Sequence, residues 1–114
     1  MDVNNIIVKQ SIEELERLKP LLDFDDNEPF RVAEKIINKL NDHVKVSRTG
    51  ENEILIFREY EKCFYNILVD EDADISFMFI GNKREETYTY MTDDDSDESI
   101  ERVLISFYGK NLVV

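Results

Sequence analysis

The chain has 114 residues, with 26 acidic and 14 basic side chains, one His, one Cys and no Trp, and a formal charge of −12. That length suits one domain, and 42% hydrophobic residues with seven Phe and five Tyr exclude a disordered acidic tail. The charge disfavours direct binding to nucleic acid or to anionic lipid, because phosphate-tracking surfaces need clustered Lys and Arg.

Residues 1–10 read either as a short strand or as an ordered lead-in through Ile6, Ile7 and Val8. They show no basic flank followed by a sustained apolar stretch, so no signal peptide is expected. Ser11 reads as a helix N-cap, with Glu14 three residues on to complete a capping box. Ile12, Leu15, Leu18 and Leu22 follow one helical stripe. Pro20 ends that helix or restricts it to about two turns, since the residue before a proline avoids the helical region. Pro29 sits in the first turn of a second helix, whose stripe is Phe30, Ala33, Ile36, Ile37 and Leu40.

From His43 the period changes to two. Val44 and Val46 alternate with polar neighbours, and Thr49-Gly50 marks a turn. Strands are expected over Glu53–Tyr60, Cys63–Val69, Ile75–Ile80 and Glu86–Met91, separated by a charged turn at Glu61-Lys62, an acidic turn at 70–74 and a turn at Gly81-Asn82. Such short turns call for an antiparallel meander. Ile100, Val103, Leu104 and Phe107 form a third helical stripe, with Gly109 placed to end it and an apolar tail at Leu112–Val114. The expected fold is a single α+β domain over 1–114: two N-terminal helices, a β-meander of four or five strands, and a C-terminal helix. Large residues on both faces of the central strands leave two arrangements open. Either helices cover both faces, or one face meets a partner.

The acids are unevenly placed. Between Asp70 and Glu101 twelve acids face only Lys83 and Arg84, a net of −10. The candidate partner-binding residues are Asp70, Glu71, Asp72 and Asp74 in one turn, and Asp93, Asp94, Asp95, Asp97, Glu98 and Glu101 before and within the last helix. One or two acids suffice to cap a helix and complement its dipole. The surplus points to an anionic surface aimed at a cationic one.

Other chemistry is sparse. The spacing Asp70-x-Asp72-x-Asp74 invites a calcium loop, but the sixth and twelfth positions hold Ile75 and Gly81 rather than Gly and Glu. A solvated hairpin turn is expected there. His43 has no second His beside it, and pairing it with Cys63 leaves no orienting residue to name. Glu59 and Glu61 flank a turn, with nothing to suggest a sugar cleft. No catalytic residue, cofactor or metal is therefore expected. A lone thiol inside an apolar run suits a reducing compartment. No apolar stretch approaches the roughly 20 residues that span a bilayer. Together these make the cytoplasm the expected location.

The segments LERLKPLLDFDD, EPFRVAEKIINKL, NEILIFREY and CFYNILVDEDADISFMF, running from Leu15 to Phe79, resemble a pattern found in small prokaryotic and phage-type α+β proteins. In those proteins a Leu-rich helical turn meets a Pro-started helix, and hairpins with an acidic turn follow. They often carry a Trp-Asp-Gly-Tyr-like stretch between the helices, where Leu22-Asp23-Phe24 stands here, and Asp-Gly in the acidic turn, where Ala73-Asp74 stands here. The resemblance implies the order of elements and no catalytic residue.

The expected activity is that of an acidic, non-enzymatic binding module. It would block a basic, nucleic-acid-binding surface of a partner protein such as a nuclease, in the manner of a phage inhibitor, an antitoxin or an immunity protein. The alternative is a homodimer or larger assembly formed through an apolar sheet face or the C-terminal tail.

Overall fold

The computed structural model describes residues 3–40, 43–60, 62–81 and 87–108. Helix α1 spans Val3–Leu18 and passes into a 3-10 turn at Lys19–Leu21. Helix α2 spans Glu28–Lys39, and five strands follow: β1 Lys45–Arg48, β2 Ile54–Tyr60, β3 Cys63–Val69, β4 Ile75–Ile80 and β5 Thr87–Thr92. Helix α3 covers Asp97–Tyr108. The strands form one sheet in the order β1-β2-β3-β4-β5, every pair antiparallel. This is the expected α+β meander. The readings at Asn82, Glu86, Gly109 and Leu112–Val114, and that of Glu61, lie outside the described residues.

The start of α1 corrects the sequence reading. Ser11 is not an N-cap but lies within the helix, which begins eight residues earlier. Its hydroxyl donates instead to the carbonyl of Val44 (3.1 Å), and the Glu14 carboxylate accepts the backbone N–H of Val46 (2.9 Å). The spacing that resembles a capping box places both side chains on one helix face, and that face lies against the edge of β1. Ser11 is 1% exposed. Ser11→Ala is therefore expected to destabilise the fold by about 1–3 kcal/mol, the cost of leaving a buried carbonyl without a donor. Urea unfolding followed by circular dichroism checks this, and an unchanged midpoint would remove the tie from the account.

Helix α2 is positioned by its own sequence. Pro29 occupies its first turn, and the Asp26 carboxylate accepts the N–H of Glu28 (2.9 Å). Phe30, Val32, Ala33, Ile36 and Ile37 are all buried. Leu40 is buried too, but it has left the helix and adopts an extended backbone.

The helices share one face of the sheet. On that face Ile54 and Ile56 stand in register with Val69 and Ile67, and those with Ile75 and Phe77. All six are at most 1% exposed. Tyr108 of α3 stacks on Tyr65 (centroids 4.7 Å apart), and Phe107 meets Phe77 at 5.5 Å. On the opposite face the same strands present Leu55, Phe57, Phe64, Leu68, Met78 and Ile80, and among the described residues no element packs over them. Of the two arrangements the sequence left open, the described helices lie on one side of the sheet. No described helix is long and apolar enough to cross a membrane.

Candidate interaction surface at the acidic end of the sheet

Strand direction decides which loops meet. In the pairing row Arg48–Ile54–Val69–Ile75–Thr92, every residue is the first or last of its strand. The β1–β2 turn, the β3–β4 turn and the exit from β5 therefore leave the sheet at one end. Two of these carry the expected acidic segments. Asp74 and Asp93 follow directly from the paired residues Ile75 and Thr92, so they sit side by side.

The β3–β4 turn is built around Asp70. One oxygen of its carboxylate accepts the N–H groups of Asp72 (2.9 Å) and Asp74 (3.0 Å), and its carbonyl accepts the N–H of Ala73 (3.0 Å). The Asp70 N–H donates to the carbonyl of Asp74 (3.1 Å), which closes the turn. Ala73 has φ 62°, in the left-handed region that glycine enters without strain.

This wiring points carboxylates at one another. One oxygen from each of Asp70, Asp72 and Asp74 lies within 4.8 Å of the others. Among the described residues these are the one such group that could hold a metal ion, although strands flank the turn where a calcium loop has helices. The Asp74 carboxyl is held above its ordinary pKa by partial desolvation, then by the charges of Asp70, Asp72 and Asp93. The last of these couples the two acidic segments electrostatically.

The sign of that shift gives a test. The folded state holds the Asp74 proton more tightly than the unfolded chain does, so ionised Asp74 destabilises the fold. The effect is absent below the ordinary carboxylate range and grows as pH rises through the elevated folded pKa. Asp74→Asn is expected to raise the melting temperature at neutral pH, by an amount that vanishes in acid and shrinks in high salt. A lowered melting temperature at pH 7 would show that the crowding does not exist.

The remaining predicted residues divide. Glu71 belongs to the same end, 3.5 Å from the Asn52 amide of the β1–β2 turn. Asp94 is exposed but tied within its loop: its carboxylate accepts the N–H of Ser96 (3.0 Å), and the bonds from Ser96 hold its pKa below the usual range. Asp95 gives its carbonyl to the Lys35 ammonium (3.0 Å), which also lies 3.6 Å from the Asp97 carboxylate. These contacts fasten the loop to α2. Glu98 and Glu101 are exposed along α3 beside Arg102, and no described contact joins them to the turn.

Sequence reasoning missed Asp23, Glu51 and Glu53. Asn52 links Asp23 to the acidic end, since its amide oxygen accepts the Asp23 N–H (2.9 Å) and its NH2 donates to the Asp23 carbonyl (2.8 Å). Glu51 and Glu53 flank Asn52 in the same turn. Strand parity was the signal for the two glutamates: in a meander, alternate turns share an end. His43 and Cys63 are not brought together, because β2 stands between the β1 edge and β3.

No family model, curated protein or solved structure matches this chain.

Proposed function

We propose that the protein is an acidic binding module whose sheet end occupies a basic, nucleic-acid-binding surface of a partner protein. The observation that carries this reading is the meeting of the 70–74 turn and Asp93 at one end of the sheet, close enough for their charges to raise the pKa of Asp74. Among the described residues, the carboxylates of Asp72, Asp74 and Asp93 accept no hydrogen bond and join no ion pair. They are carried on a hydrogen-bonded turn and a strand end, yet their charge is not consumed by the fold. Charge held in a strained, mutually repelling array favours a cation-rich complement, which relieves the repulsion on contact. Duplex DNA carries about one charge per 1.7 Å of axis, so a competitor for its binding site needs several acids fixed in place.

The test is capture from a native lysate at low salt, comparing the wild-type protein with Asp72→Asn/Asp74→Asn/Asp93→Asn, and identifying what is retained. The expected result is a basic protein that the wild type holds, the variant loses, and added DNA displaces. Equal retention by the variant, or retention that DNA cannot compete, would sink the reading.

A further inference from the structure

We propose that the helix-free face of the sheet is the contact surface of a symmetric pair, occupied by the same face of a second copy. Size supports this. Five strands about 4.8 Å apart and about six residues long present a face of roughly 20 by 20 Å. Allowing for side-chain relief, two such faces bury on the order of 1,000 Å² in total, the threshold for a specific interface. Met91 extends the apolar surface on β5 and is 68% exposed.

Charge argues for a second copy as the occupant. In a chain of −12, the described strand positions of this face hold one acid, Glu59, and one base, Lys45. Two highly acidic chains can therefore meet here across a neutral surface. The placement of the other charges sets the symmetry. A two-fold axis along the strands would bring both acidic ends together. An axis across the strands, through the row Lys45–Phe57–Asn66–Met78–Thr89, sends them to opposite ends. It also lays Phe57, Asn66 and Met78 over their own counterparts, as an isologous contact requires. Asn66, the polar residue at the middle of the face, then meets a second amide able to donate and accept. Lys45 at the edge of that row also meets its own counterpart, and a Glu59 from each copy lies on the same flank to offset the two cations.

Sedimentation equilibrium tests the pair. The expected mass is twice the 13.5 kDa of the chain, undiminished when salt screens the repulsion between copies. Leu68→Glu and Met78→Glu should each halve the mass while leaving the far-UV spectrum unchanged. In a Cys63→Ser background, Asn66→Cys should cross-link to itself through a short bismaleimide, because facing sheets stand about 10 Å apart, beyond the reach of a direct disulfide; this readout does not need the glutamate variants to fold. A wild-type protein that stays a single chain at high concentration overturns the proposal. So does association that survives both glutamate variants, and a dimer in which Asn66→Cys fails to cross-link overturns the symmetry. A single chain whose Met78 resists oxidation only while residues 109–114 are present would assign the face to the chain's own C-terminal segment. Asp72→Asn/Asp74→Asn/Asp93→Asn should keep the wild-type mass, so this proposal and the acidic-end reading can fail separately.

Discussion

Asp72→Asn/Asp74→Asn/Asp93→Asn is expected to move binding and stability in opposite directions. Association with the basic partner proposed above should slow by about tenfold or more, because steering by a focused field changes encounter rates by about 10–10³-fold. The wild-type rate should itself fall steeply with salt, since exposed charges are screened beyond about 10 Å at 0.1 M. The same variant should melt at a higher temperature than the wild type at neutral pH, because it removes a carboxylate whose charge is disfavoured first by partial desolvation and then by the neighbouring acids. Asp70 stays in place, as its carboxylate organises the turn through the N–H groups of Asp72 and Asp74. Stopped-flow association and thermal melts on one preparation measure both effects. If stability and capture fall together, the three carboxylates serve the fold, and the acidic end is a solvated rim.

Phe77→Ala should give the largest loss of stability from a single residue, about 3–5 kcal/mol on the scale of buried Phe truncations. Phe77 is fully buried and stands in the row Ile56–Ile67–Phe77–Tyr90. Its ring meets Phe107 of α3 at 5.5 Å and Tyr90 at 6.3 Å. The substitution therefore opens a cavity and also loosens α3 from the sheet. Domains of this size are held by about 5–15 kcal/mol, so the variant should sit near the edge of folding. Urea unfolding measures the loss, and amide exchange along 97–108 locates it. A loss under about 1 kcal/mol would mean that α3 does not rest on Phe77.

The elements that the sequence marked well are those in which one period dominates. Helix α2 needed only its Pro29 start and its Phe30-to-Leu40 stripe, and β3 and β4 matched their expected bounds at Cys63–Val69 and Ile75–Ile80. Helix α1 was misread because Ser11 and Glu14 have the residue types and spacing of a cap. What overrides that local signal is a pair of bonds to Val44 and Val46, more than thirty residues away. The β-branched run Ile6-Ile7-Val8 also obscured the helix. Of that run Val8 packs against the core, whereas Ile6 is exposed.

The candidate surface was legible as a composition and not as a place. Asp70, Glu71, Asp72, Asp74 and Asp93 gather at one end of the sheet, while Asp94 is drawn into its loop's own bonds, Asp95 and Asp97 contact Lys35 of α2, and Glu98 and Glu101 follow α3. Nothing in the spacing of those acids separates the groups.

Charge content, element order and the apolar stripes follow from the chain's own residue pattern, because period and turn chemistry act over a few neighbours. Tertiary structure alone decided which acids share a surface and which face of the sheet the described helices leave uncovered. Both depend on strand parity and on the side of the sheet to which three helices return, and those are set by contacts between residues far apart in the chain.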